Sequence, residues 1–302
     1  MAGTAAPGGR IGPSDPWDLA REAARTAGVE LRPLTSLQDA EAIIEVMIAT
    51  WGEHQLLPRE VIRALAESGN VPYGAMAEGE LVGYVLGWVG VEAGEGLHVH
   101  SHMLAVRPGL RSRGVGYALK LAQRAQALDA GIRVVRWTFD PLQARNAKFN
   151  FGRLGVVADR FIRNCYGEMT DLLNRGDRSD RFLVRWDLDR PPGARPMVPG
   201  PERELLVARG PAEAPEPIRV ADPTPEAEGS WRVDIPSDLP GLRARDPGLV
   251  RAWRDATAEA FEACLSMGMV VAAFHPAWED RPPFYHLALP AAVVDRPGWA
   301  SR

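Results

Sequence analysis

Apolar residues along this chain recur at helical and strand spacings in turn. Ala40, Ile43, Ile44 and Met47 share one face and predict an amphipathic helix over residues 37–50. A shorter helix is expected over 16–27, stopped at Gly28, and another over 58–68, opened by Pro58 and stopped near Gly69 and Asn70. Between them, 29–32 reads as a short strand. Residues 73–77 and 81–91 flank Glu78-Gly79-Glu80 and predict a hairpin, with 97–106 as the next strand. From Gly114, Val115, Ala118, Leu119, Ala122 and Ala125 follow the i, i+3, i+4, i+7 rule of a helix that Gly131 ends. A strand over 133–139, a helix over 143–154 closed by Gly155, and a strand over 181–188 follow.

Pro191, Pro192, Pro196, Pro199 and Pro201 crowd the next stretch, which can continue neither a helix nor a central strand, so a boundary is placed there. Beyond it, 204–208 and 231–235 read as strands, with a Pro/Glu-rich loop over 211–229. Asp246-Pro247 starts a long helix reaching about Met267, with Leu249, Trp253, Ala256, Ala260 and Phe261 on its apolar face. Residues 269–274 and 284–289 form a final strand pair. The expected organisation is a disordered tail over 1–15, a domain over 16–190, and a Pro-rich linker with a C-terminal α+β region over 191–302.

Composition narrows the class only modestly. An apolar share of 46% and a charged share of 25% in 302 residues are ordinary for a soluble globular protein. A formal charge of -4 argues against wholesale nucleic-acid binding. No apolar stretch reaches the ~20 residues that span a bilayer, and the N-terminus lacks the apolar core of a signal peptide. Cys165 and Cys264 stand alone, without metal-ligand or CxxC spacing, and suit a reducing cytoplasm.

The chemistry concentrates where the strand over 97–106 runs into Arg107-Pro108-Gly109-Leu110-Arg111-Ser112-Arg113-Gly114-Val115-Gly116 and then a helix. Unpaired N–H groups and the dipole at a helix start favour an anion, above all a phosphate. Glycines at 114 and 116 let the backbone approach it, and Arg111 and Arg113 add charge-assisted contacts. A Rossmann site would want this turn on the first strand of a parallel βαβ array, which the hairpins upstream oppose. A P-loop fails because Gly-Lys-Ser/Thr is missing.

Arg-x-x-Gly-x-Gly after Ala105-Val106-Arg107-Pro108 resembles the pyrophosphate-binding motif of GNAT acetyltransferases, and the element order from Leu31 to about Leu188 is similar to theirs. The resemblance implies an α+β fold, an α/β/α-layered mixed sheet; the helix and two strands of the additional C-terminal α+β region could complete that sheet, cover the acceptor cleft, form a degenerate second GNAT-like half or serve as a dimerisation element. It implies acetyl-CoA or another acyl-CoA as co-substrate, without a metal. Its phosphates would sit on Arg111, Ser112, Arg113, Gly114, Val115 and Gly116, and its pantetheine would pair with the backbone of Leu104 and Val106. Asn146, within Asp140-Pro141-Leu142-Gln143-Ala144-Arg145-Asn146, would contact CoA or substrate, or only cap backbone. The tyrosine that protonates the departing thiolate in the family falls on Phe151, which has no proton to give. Tyr166 and Tyr117 are the substitutes available. Tyr166-Gly167-Glu168-Met169 and Asp180-Arg181-Phe182-Leu183-Val184-Arg185-Trp186 are similar to a long GNAT subgroup, some members of which act on amino acids with donors larger than acetyl-CoA.

His98, His100 and His102 alternate on one strand face. A zinc site is disfavoured, because i, i+2, i+4 spacing spreads three imidazoles over ~13 Å. A general base, acceptor recognition, and a polar cleft wall remain. The register of the family's strand-borne base selects His100 first and His102 second. Glu92, Glu95 and Asp140 are softer candidates, and His275 and His286 read as structural. The expected activity is transfer of an acetyl or succinyl-type group from acyl-CoA to a primary amine of a small molecule or amino acid, in a cytoplasmic protein that could form a homodimer. A CoA-binding sensor without turnover is the alternative.

Overall fold

The computed structural model describes residues 15–53, 56–167, 177–194, 196–225 and 229–295. The tail expected over 1–15 lies, except for Asp15, outside them. Helix α1 (Pro16–Ala27) begins where Asp15 accepts the Trp17 N–H and stops at Gly28, whose φ of 69° is left-handed. Strand β1 (Glu30–Pro33) leads to α2 (Leu37–Trp51), held by a reciprocal capping box between Ser36 and Asp39. Helix α3 (Arg59–Glu67) follows, then the antiparallel strands β2 (Tyr73–Ala77), β3 (Glu80–Glu92) and β4 (Gly96–Val106). Helix α4 (Val115–Asp129) crosses to β5 (Val134–Phe139). Helix α5 (Ala144–Phe149) continues as a π-helical turn over Asn150–Leu154, and the hairpin β6 (Val157–Ile162) and β7 (Arg181–Asp187) completes this half.

The second half contains β8 (Pro196–Met197), β9 (Glu202–Arg209), β10 (Glu216–Arg219), β11 (Ser230–Asp234), α6 (Leu239–Arg245), α7 (Pro247–Ser266), β12 (Val270–His275), β13 (Phe284–Ala288) and β14 (Val294–Asp295). Two expectations fail here. The stretch read as a loop over 211–229 contains β10, whose Pro217 the sheet tolerates because β10 is an edge strand pairing only with β9. Helix α6 was not foreseen either; it is a two-turn element capped by Asp238 that buries Leu239 and Leu242. The Pro-rich stretch packs closely: Gly155, at φ 75°, sits where a Cβ would lie 1.7 Å from the Ala194 carbonyl.

Twelve strands form one mixed sheet in the order β1-β2-β3-β4-β5-β7-β6-β12-β13-β11-β9-β10, with β14 and β8 paired separately. Helix α2 lays Ile43, Val46 and Met47 on one face of the first half, beside Tyr84, Leu86 and Ala105. Helix α4 covers the other face with Val115, Ala118 and Leu119 against Val82 and Val85. The fold is mixed α+β, with a C-terminal α+β region added to the sheet.

The halves meet where β12 pairs β6 at Val271↔Ala158. Outward from that seam the order matches on both sides. A hairpin (β6–β7, β12–β13) is followed by an antiparallel strand (β5, β11), its parallel neighbour (β4, β9) and an antiparallel strand (β3, β10). One apolar core runs across the seam, with Phe182 4.6 Å from Phe261 and 5.4 Å from Tyr285 between ring centroids. Arg254 of α7 is buried and reaches back to Asp140 beyond β5, with Nη2 at 2.7 Å from Oδ2, and to Asp177 at 3.1 Å.

Candidate active site

Strands β4 and β5 are parallel neighbours joined only at Val99↔Val135 and His100↔Arg136. Beyond Ser101 they diverge. The fork opens into a cleft of about 2380 Å3, walled by β4, the α4 start, β5, α5 and parts of the second half.

At the mouth of the fork, β4 ends in a 3-10 turn over Pro108–Leu110 and the chain enters α4 through two left-handed residues, Ser112 (φ 68°) and Gly114 (φ 93°). Gly114 is the N-cap and makes no side-chain cap, which leaves the first-turn N–H groups facing the cleft without one. Space around it is ample, since a Cβ there would sit 3.6 Å from Ala27; the backbone conformation is what calls for glycine. Gly116 faces Leu104 and Val106, where a Cβ would meet only van der Waals contacts at 3.7 and 4.0 Å. The Arg111 Nε donates to the Val106 carbonyl at 3.2 Å, and Arg145 holds the Ser112 hydroxyl at 2.9 Å. Arg111, Ser112, Arg113, Gly114, Gly116, Leu104, Val106 and Asn146 all line the cleft. Val115 does not; its side chain is buried against α1 and the sheet, so only its N–H can serve. This loop fits a diphosphate: the cradle is open, and the positive end of a helix and two guanidinium groups surround it.

A bulge interrupts the backbone pairing along the histidine stripe. The β3–β4 register shifts between Leu86↔Met103 and Gly87↔Ser101, so His102 has no partner across the pair. Gly87 serves here: a Cβ would fall 2.4 Å from the His100 carbonyl. His102 lines the cleft; His100 and His98 do not. His100 and His102 both pack on Trp88, at 5.1 and 4.8 Å between centroids. Burial, then His102, His98 and Lys120, push His100 down to about 4, and burial lowers His102 as well, so both are neutral near pH 7. His98 sits over Gly90. Glu92 and Glu95 point away from the cleft, to the buried Arg136 and to Arg160 and Arg185.

Three further features need the tertiary structure. Phe151 is buried, edge-to-face with Phe139 and Tyr285, and the Tyr285 hydroxyl is taken by the Pro141 carbonyl at 2.6 Å. Tyr166 stands in the cleft wall with its hydroxyl 2.8 Å from Thr138 Oγ1 on β5, and Tyr117 lies under Arg153. Burial raises both phenols, which keeps them protonated. Asp140 holds Arg254 and the Leu142 N–H, and Arg254 outweighs burial to keep its carboxyl low, so Asp140 is a structural anion.

Sequence reasoning missed Lys120. It lies on α4 one turn beyond Gly116, 2% exposed, with Nζ 2.7 Å from Ser101 Oγ, 3.1 Å from Gln123 Oε1 and 3.8 Å from the Trp137 ring centre. Burial lowers it well below an ordinary lysine, and none of these partners carries charge. A lysine on the buried face of an otherwise apolar helical stripe was the available signal. The second half covers the cleft, one of the roles expected for it, through residues that sequence reasoning did not single out as cleft-lining: Arg243, Phe274, His275 and His286 line it. His286 meets Glu202 at 2.6 Å, which suits the structural role expected of it.

Residues 40–152 match the acetyltransferase (GNAT) family model. No curated protein matches the chain. Similar solved structures include the ribosomal-protein-S18-alanine N-acetyltransferase from Escherichia coli, 14% identical over 53% of this chain and 94% of that one, at a TM-score of 0.44. A putative acetyltransferase of the GNAT family from Desulfovibrio desulfuricans is 19% identical over 53% of this chain and 99% of that one, at 0.41. An aminoglycoside acetyltransferase from an uncultured soil metagenomic sample is 19% identical over 41% and 85%, at 0.37.

Proposed function

We propose that this chain, an N-acetyltransferase carrying a GNAT acetyltransferase domain over residues 40–152, moves an acetyl or succinyl-type group from acyl-CoA to a primary amine of a small molecule or amino acid. Transfer is direct, within a ternary complex. The observation that carries this reading is the fork between β4 and β5, closed at one end by the Gly114-capped start of α4 and faced along one wall by His102.

The loop from Arg111 to Gly116 holds the donor diphosphate, Val115 through its N–H alone. The exposed edges of Leu104 and Val106 pair with the pantetheine arm, and Asn146 on α5 stands at the rim. The amine lone pair attacks the thioester carbon, the C–S bond breaks, and the amine nitrogen gives up a proton. His102, neutral and in the cleft wall, takes that proton; His100 supports it through Trp88 rather than reaching the cleft. This exchanges the order set by strand register alone, because His102 lines the cleft and His100 does not. Tyr166, kept protonated and anchored on Thr138, supplies a proton to the departing thiolate. Both cysteines are unpaired, which suits a cytoplasmic setting. Among the described residues, no helix is long and apolar enough to cross a membrane and no side-chain cluster could hold a metal.

A second reading has one observation in its favour. Phe151 fills the family's acid position with a buried, protonless ring, as a CoA-binding sensor without turnover would allow. Thiol release from acetyl-CoA and succinyl-CoA, assayed over amines, amino acids and polyamines, separates the two. Turnover with any acceptor supports the enzyme; donor binding without thiol release from every acceptor supports the sensor.

A further inference from the structure

We infer that Arg181 is a carboxylate subsite of the cleft, and that the acceptor is therefore a small amine that also bears a carboxylate. This rests on the transfer reading above and names the acceptor's second functional group.

Arg181 opens β7 and is 8% exposed, yet it lines the cleft. A guanidinium stays charged at any physiological pH, and a buried charge is expensive unless it is paired. Its Nη1 donates to the Asp180 carbonyl at 2.9 Å, and its guanidinium carbon lies 5.6 Å from the Tyr166 ring centre. No carboxylate oxygen among the described residues comes within 4.0 Å of it. Three other buried arginines each meet a carboxylate. Arg136 meets Glu92, Glu95 and Asp159; Arg232 meets Asp234; Arg254 meets Asp140 and Asp177. Arg124 lacks a carboxylate but donates to the Leu188 carbonyl, away from the cleft.

The nearby carboxylates are committed elsewhere. Asp140 is clasped by both Arg254 nitrogens, and Asp180 by Arg178 and the Asn164 N–H. Among the described residues Arg181 is thus the buried guanidinium of the cleft wall with no carboxylate within 4.0 Å, although its charge helps hold Asp140 ionised.

Its place points to the acceptor rather than the donor. In the sheet β5 separates β7 from β4, and β4 carries the phosphate loop, so Arg181 and that loop stand on opposite sides of β5. Around Arg181 the wall is made by Tyr166 and Thr138, which are hydrogen bonded to each other, and by Arg243 from the second half. A planar guanidinium beside an aromatic ring matches the planar, bidentate geometry of a carboxylate. With no helix start beside it, this guanidinium is a poorer match to a phosphate.

The test compares free amino acids with the matching amino-acid amides as acceptors, using acetyl-CoA and succinyl-CoA as donors. Wild type is expected to favour acids by 100-fold or more in kcat/KM. Arg181→Gln should lower that value for acids on the order of 100-fold, mostly through KM, and lower it far less for amides. Arg181→Lys should recover part of the loss, and donor affinity and circular dichroism should match wild type. Equal use of acids and amides by wild type, equal losses on both in Arg181→Gln, or preference for phosphoethanolamine over every amino acid overturns the inference. If no amine releases thiol, the transfer reading fails. The subsite is then decided by calorimetric titration of the same amino acids into the CoA-saturated protein. Heat in wild type that Arg181→Gln abolishes upholds it, and silence in wild type overturns it.

Discussion

Strands β4 and β9 hold matching places in the two halves of the sheet, each a parallel neighbour of the strand that leads to the helical crossover. They differ in what happens next. Strand β4 pairs β5 at two positions only, then diverges, and the chain leaves it through two left-handed residues into the 15-residue helix α4. Strand β9 pairs β11 from Ser230↔Glu202 to Val233↔Leu206, and the chain turns at Gly210 into an edge strand. One arrangement leaves backbone free for a ligand beside a helix start; the other uses its backbone within the sheet. The same strand order therefore makes a binding fork on one side and a supporting wall on the other. We propose on this basis that residues 191–302 are a degenerate second half whose surviving role is to close the cleft.

The strongest way to break the comparison is to uncouple the halves. Arg254→Gln would leave Asp140 and Asp177 buried without their shared cation. Loss of one member of a buried ion pair costs about 3–5 kcal/mol, and denaturant unfolding should show that loss. A change below 1 kcal/mol would mean that Arg254 does not hold the seam, leaving it to the aromatic core and to the Arg243–Asp177, Arg178–Asp255 and Arg163–Glu262 pairs.

Next in size is the donor loop. Gly114→Trp should weaken acetyl-CoA binding by more than 100-fold, since it fills the cradle and strains a φ of 93°. Gly210→Ala, at the same φ of 93° in the second half, should leave donor affinity within about twofold while costing about 1 kcal/mol in stability. Equal effects would erase the distinction between the halves.

The catalytic wall comes third. General-base removal typically lowers turnover ~10²-fold or more, so His102→Ala should do so without changing donor affinity, whereas His100→Ala should act weakly. Because burial lowers His102, the acid limb of the pH–rate profile should fall below the ordinary histidine pKa of about 6.5. A larger effect of His100→Ala would return the base to the residue chosen by register.

Most of the first half is legible in the sequence, since its helices carry caps and apolar stripes within a few residues of one another. Pro16, Ala27 and Leu37 mark true ends. What is not legible depends on distant partners. The bulge that leaves His102 without a cross-strand partner arises from the pairing of β3 with β4 at Gly87, and Asp140 finds its partner 114 residues away. Strand β10 was hidden by Pro217, which only an edge position tolerates. Lys120 was hidden by its helix, whose pattern shows a face but not what that face meets.

Smaller effects follow from the buried bases. His100 is lowered to about 4 in the folded state from near 6.5 when unfolded, so the unfolded chain binds the proton first as pH falls. Its contribution is present above pH 6.5 and is lost between pH 6.5 and 4; His100→Phe should flatten that part of the stability profile by up to about 3 kcal/mol. Lys120→Met should be neutral or slightly stabilising, because a buried amine without a charged partner is replaced by an apolar chain of similar length. A destabilisation above 2 kcal/mol would show that the Ser101–Lys120–Gln123 bonds hold the fork in shape.

The central claim is that one half of the sheet, and only one, is built to take the acyl donor. Calorimetric titration of acetyl-CoA into the full chain tests it directly. The account predicts one site per chain with micromolar affinity, abolished by Gly114→Trp and kept by Gly210→Ala; two sites per chain, or no heat at all, would contradict it.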